Sequence, residues 1–316
     1  IALFIAYWVL KRMYGILPAL GTVFIGAGLL KLVIGSGNST EEYSFLLTWI
    51  AITSLVLLMT KNKSTFWSFF LIGASTVLNF LLRANNIGTQ IIVILAAIFH
   101  VYTNERETKL WRAVTYLIIG ALTIAIPVSL YFIINGSFKA MIDASIIYNF
   151  SYSTATDHPF SNSILPAFGI FRYWLLALLV IWILCIWHMF DIKQKWFTPF
   201  LLLTILALPI EIFMSSISGR GYTHYFICWI PACMLLIAFG FSIVQNEAID
   251  MNFRRKCETT HTIIILVLLC LITIGTSFNT VYGTARFIGG SMIHPSINRE
   301  FREPAAKVVR DLTDDT

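Results

Sequence analysis

The chain has 316 residues, of which 58% are hydrophobic and 12% charged, with a mean hydropathy of +0.79 and a formal net charge of +6. Soluble domains carry about 25% charged residues, so a water-soluble globule is excluded. Apolar runs of about 20 residues recur along the whole length, too long for barrel strands, and in lipid the backbone must satisfy its own hydrogen bonds, which leaves transmembrane α-helices.

In chain order the expected spans are 1–10, 16–34, 43–58, 66–82, 87–102, 114–134, 164–190, 196–214, 225–244 and 262–282. The fold class is all-α: a polytopic transmembrane bundle of about ten helices. The first run holds only about ten residues and opens on Ile1 rather than Met. That is too short for a hydrocarbon core of about 30 Å, so the first helix is expected to be truncated. Residues 1–282 form the bundle, and 283–316 an extracytoplasmic tail that begins a further, cut-off segment.

Charge alternates from loop to loop. One set of loops carries Lys11, Arg12, Lys61, Lys63, Arg106, Lys109, Arg112, Lys193, Lys195, Arg254, Arg255 and Lys256, twelve cations. The other, before the tail, carries five: Lys31, Arg83, Lys139, Arg172 and Arg220. The positive-inside rule makes the first set cytoplasmic. The net positive charge is therefore a topology signal, with membrane lipids as partners and no nucleic acid required. Loops 35–42, 83–86, 135–163 and 215–223 and the tail then face outward, in the cell membrane of a multi-pass protein. No Walker-type or dinucleotide glycine motif occurs, which argues against an ATP-driven machine. Cys185, Cys228, Cys233, Cys257 and Cys270 are dispersed, with neither metal-ligand nor disulfide spacing.

Four outer stretches carry chemistry. In the first, Asn38-Ser39-Thr40-Glu41-Glu42-Tyr43, Ser39 or Thr40 suits a helix cap. Glu41 and Glu42 equally suit a sugar hydroxyl, a divalent cation, or pairing with Arg83 or Arg220. The second, Leu82-Arg83-Ala84-Asn85-Asn86, is a tight hairpin. Arg83 there either complements a helix C-terminus or, with Asn85, recognises phosphate or sugar. The third, 135–163, is long and aromatic, with Asn149 and Tyr152 in Tyr148-Asn149-Phe150-Ser151-Tyr152. A loop of this length suits a substrate cleft, and 140–150 suits a helix lying on the membrane.

The fourth is Ser218-Gly219-Arg220-Gly221-Tyr222-Thr223-His224-Tyr225, between two apolar runs. Its bland reading is an interface anchor, with Arg220 snorkelling and the Tyr rings at headgroup level. Its functional reading is a site: Arg220 offers a planar fork to phosphate, His224 can donate, accept or ligate metal, and Tyr222 and Tyr225 can stack on a sugar. A helix starting near Tyr222 would add an N-terminal dipole favourable to an anion.

Together these stretches resemble bacterial polytopic glycosyltransferases of the GT-C fold, the family 39 or aminoarabinose-transferase-like group. Gly219-Arg220-Gly221-Tyr222-Thr223-His224-Tyr225, with Pro231 after it, is similar to a stretch that opens a late helix in that group. The resemblance implies transfer of a sugar from a polyprenyl-phosphate carrier to a lipid, glycan or protein acceptor on the outer face. It implies no nucleotide, because the carrier is already activated. It also implies an acidic general base in the first outer loop, expected upstream of Ile1. Under this reading Arg220 and Arg83 meet the departing phosphate, while His224 and Glu41 orient substrate or hold a divalent metal. The substrate-binding candidates are Arg220, His224, Tyr222, Tyr225, Arg83, Asn85, Glu41, Glu42, Asn149 and Tyr152. The competing readings are a polysaccharide polymerase or ligase using a lipid-linked substrate, and a transporter or flippase. For the last, Glu211 and Asn79 are the polar residues inside apolar runs; Asn79 equally suits a bond to a neighbouring helix.

Overall fold

The computed structural model describes residues 1–34, 38–60, 65–103, 110–147, 160–191, 198–217 and 221–249. The span expected at 262–282, the tail from 283, and Asn149, Tyr152 and Arg220 lie outside the described residues.

The elements in order are α1 (Ala2–Tyr14), α2 (Ile16–Val33), α3 (Thr40–Met59), α4 (Thr65–Leu82), a 3-10 turn (Ala84–Asn86), α5 (Gly88–Thr103) and α6 (Leu110–Ile134). Then come α7 (Phe138–Ile142), which runs on as a π turn (Asp143–Ile147), α8 (Phe160–Asp191), α9 (Thr198–Ser216), a second 3-10 turn (Thr223–Cys228) and α10 (Trp229–Ile249). There is no strand among the described residues. Six helical stretches are long and apolar enough to cross a membrane: α2, α3, α4, α6, α9 and Thr223–Ile243. A seventh follows if the two arms of α8, bent by 94°, are one span. The chain is thus a helical multi-pass membrane protein. α1 and α5, at 13 and 16 residues, are shorter.

Gly15 explains the abrupt α1–α2 junction. Its φ of 95° lies where a side chain is strained, so one residue reverses the chain. Contacts along the helices set their directions. α4 and α6 run parallel, with Phe66 against Tyr116, and Gly73 and Gly120 pressed onto each other's helix. A Cβ built on Gly120 would sit 2.0 Å from the Phe70 carbonyl oxygen, so only glycine permits this approach. Both arms of α8 meet α9, in opposite chain order: Trp182 Nε1 donates to the Ile205 carbonyl (2.7 Å) and Ser163 Oγ to the Ser216 carbonyl (3.2 Å).

Burial separates centre from edge. Residues 225–240 are all buried, whereas α6 buries only Ala113 and Gly120 and turns Ile118, Leu122, Ile126 and Leu130 outward. Both are apolar, as expected where the surroundings are lipid rather than water. α3 is the inner wall, with Trp49, Ile52 and Leu55 fully buried.

These contacts bring four of the loops together. The ends at 38–42, 83–86, 160–163, 215–217 and 222–225 meet at one end of the bundle, through Glu41–Arg83, Arg83–Tyr225 and Ser163–Ser216. Tyr14 at the end of α1 meets Phe200 at the start of α9, with ring centroids 5.8 Å apart, at the opposite end.

Candidate functional site at one end of the bundle

The site begins with the start of α3. The Ser39 N–H donates to Glu42 Oε1 at 3.1 Å, so Glu42 is turned back onto its own helix start as a capping box. Glu41 lies about 100° round the helix from it and points inward. It is only 1% exposed, accepts the Thr40 hydroxyl at Oε2 (3.2 Å), and forms an ion pair through Oε1 with Arg83 Nη1.

Arg83 comes from the opposite direction. α4 stops at Leu82, and Arg83 takes an extended backbone before the 3-10 turn, so its side chain leaves the helix and reaches α3. The guanidinium carbon lies 3.6 Å from the centroid of the Tyr225 ring. With 16% of its side chain exposed, it gains both the carboxylate and the ring quadrupole in a partly dry setting. A desolvated cation–π contact contributes on the order of 2 kcal/mol.

Tyr225 belongs to an aromatic cluster. Its ring is edge-on to His224 (4.8 Å) and to Tyr222 (5.3 Å), and Tyr222 and His224 stack at 5.7 Å with planes 9° apart. Tyr222 is 46% exposed and His224 half-buried, whereas Tyr225 is buried over Arg83. The cluster stands on a 3-10 turn rather than on an α-helix. α10 begins only at Trp229, two residues before Pro231, whose ring is tolerated in a first turn. The helix dipole expected at Tyr222 therefore starts farther along the chain.

Below this layer lies a second one, built mainly of amide and hydroxyl side chains. Asn79 Nδ2 donates to the Asn86 carbonyl (2.8 Å) and to Gln90 Oε1 (2.9 Å). Asn86 Nδ2 donates to Ser44 Oγ (2.9 Å), and Gln90 Nε2 to the Ser75 carbonyl (3.3 Å). The hairpin is thereby tied to α4 behind it and α3 beside it. Asn85 is half-buried in the same turn, its Oδ1 without a hydrogen-bond partner among the described residues. On the α9 side Glu211 accepts the Thr89 N–H in the first turn of α5.

The chain matches no protein-family model, no curated protein and no solved structure.

Of the residues singled out in the sequence, Glu41, Arg83, Tyr222, His224 and Tyr225 come together, with Asn85 in the adjoining turn and Glu42 on the helix cap. Arg220, Asn149 and Tyr152 lie outside the described residues. Among the described residues no three His, Cys, Asp or Glu side chains gather to hold a metal ion. Glu41 is engaged by Arg83 and Thr40, and His224 lies among tyrosine rings. Sequence reasoning passed over Thr89, Gln90 and Ser44. Their signal was the pair Thr89-Gln90 opening an otherwise apolar run, three residues beyond Asn86.

Proposed function

We propose that the chain is a GT-C-like membrane glycosyltransferase that moves a sugar from a polyprenyl-phosphate carrier to an acceptor at the extracytoplasmic face. The observation that carries this reading is the meeting of Arg83, Glu41 and the Tyr222–His224–Tyr225 rings at one end of an apolar bundle. A sugar joined to a lipid phosphate presents an apolar ring face, hydroxyls and an anion to one site. Tyr222, exposed and backed by His224, suits the sugar face; the Arg residues suit the phosphate. An apolar recess of about 270 Å³, lined by Leu81, Val128, Phe132, Ala140 and Met141, opens two residues before Arg83 and suits part of an isoprenoid tail.

In the reaction the bond between sugar C1 and the phosphate oxygen breaks, an acceptor oxygen bonds to C1, and the acceptor proton passes to a base. Charge develops on the departing lipid phosphate, where a fixed guanidinium lowers the barrier. Arg83 is already shared between Glu41 and Tyr225, so an incoming phosphate competes with Glu41 for its fork. Arg220, next to the aromatic segment in sequence, is then the principal phosphate group and Arg83 the second.

The test is transfer of labelled sugar from a polyprenyl-phosphate donor in membranes containing the full protein. Arg220→Ala is expected to lower turnover at least a hundredfold, the scale for losing one such donor. Unchanged turnover at normal expression removes Arg220 from the mechanism. Product chain length separates a polymerase or ligase, and donor movement without transfer separates a flippase.

A further inference from the structure

Glu211 carries a carboxyl group near the C-terminal end of the apolar helix α9, 1% exposed, and the transferase reading leaves it unused. Burying such a group is costly, and a glutamine could accept one N–H there without the charge. What it faces explains its place. Its Oε1 accepts the Thr89 N–H, and Gly88 leaves room for the carboxyl group. A Cβ on Gly88 would stand 2.9 Å from the carboxyl carbon. Glu211 thus occupies the N-terminal end of α5 and supplies an acceptor for one of its otherwise unpaired N–H groups.

The position is strategic for the site above. α5 follows the hairpin of Arg83 and Asn85 by two residues, and α9 ends just before the Tyr222–Tyr225 segment. Asn79 and the Asn86–Ser44 bond hold the hairpin to α4 and α3, and Arg83 holds it to Glu41 and Tyr225. The Glu211 bond adds a hydrogen-bonded tie between the first turn of α5 and α9, two helices that also pack on each other.

We propose that Glu211 is a positioning residue, which fixes the first turn of α5, and through it the hairpin carrying Arg83, against α9 and keeps that end of α5 filled, so that a substrate phosphate is directed to Arg83. The directing part rests on the transferase reading above; the tie itself does not. Two measurements on the full protein in lipid nanodiscs separate them.

The first is hydrogen exchange of the hairpin and the first turn of α5. Glu211→Ala is expected to speed exchange there at least tenfold, and Glu211→Gln, which keeps an acceptor for the Thr89 N–H, to restore most of the protection. A core control, Leu55→Ala, lowers thermal stability without selective exchange at the hairpin. Exchange in Glu211→Ala that matches Leu55→Ala overturns the tie. If the alanine variant does not fold, Glu211→Asp replaces it: one methylene shorter, it is expected to lose protection, and wild-type exchange would overturn the tie equally.

The second measurement is the KM for the polyprenyl-phosphate sugar, per folded molecule. Loss of Glu211 is expected to raise KM about tenfold, with Gln intermediate. A merely structural residue lowers the folded fraction and leaves KM alone, and that result overturns the directing role. A wild type that transfers no sugar, yet shows the exchange effect, removes the transferase reading and keeps the tie.

Discussion

At one end of the bundle Arg83 reaches across to Glu41 on α3 and covers the ring of Tyr225 ahead of α10. At the other end Lys11, Arg12 and Arg112 lie over Tyr7, Trp8 and Trp111 of their own helices, 5.9, 5.6 and 5.5 Å from the ring centroids. Those three cations are exposed, and their partners are four residues away or adjacent in sequence. The same residue types therefore do different jobs. A cation beside its own ring, in water or among headgroups, gains little and can exchange partners freely. A cation held by groups from two other helices is fixed, and removing it strands a buried carboxylate. Convergence from distant parts of the chain is what marks the first end as a site.

Four substitutions, two of them combined in one chain, test this contrast. Arg83→Ala leaves Glu41 buried and unpaired and is expected to cost about 3–5 kcal/mol, read as a large fall in thermal midpoint in detergent. Adding Glu41→Gln to the same chain should recover part of that loss, because the stranded charge is then gone; no recovery would mean the pair is not coupled. Asn79→Leu removes the donor to Asn86 and Gln90, and is expected to cost about 1–3 kcal/mol for the acceptors left behind. A loss in that range, without the recovery pattern of the charged pair, would separate the two polar layers. Arg12→Ala at the opposite end is expected to stay within about 0.5 kcal/mol of the wild type. A loss there as large as that of Asn79→Leu would erase the contrast between the ends.

Much of the site was visible along the chain, but not its wiring. The acidic pair Glu41 and Glu42 stood out as a helix start facing the polar loops. Which one serves the cap and which faces inward was undecidable, because neighbouring residues differ only in the direction they take around the helix. Arg83 stood out as a lone cation in a hairpin, with Glu41 among its possible partners. That Tyr225 also covers it depends on α3, α4 and the turn before α10 meeting in space. Asn79 was open between a relay and a bond to a neighbour, and the structure has it donating to the hairpin. Glu211 was the hardest to place. An isolated carboxylate in an apolar run carries no mark of the helix N-terminus it will face 122 positions away in sequence.

That this is a helical membrane protein, roughly where its helices run, and which loops belong to the same end are all legible along the chain. Those properties follow from the length of apolar runs and the alternation of charge, both local and additive along a chain in lipid. Only the tertiary structure decided which charges are paired, which glycines are pressed against a neighbouring backbone, and which equally apolar helix is central and which lies at the edge. Lipid is as apolar as a protein core, so composition does not distinguish α6 from α10. The choice is made by close packing and by buried polar groups finding partners, and both depend on residues far apart in the chain.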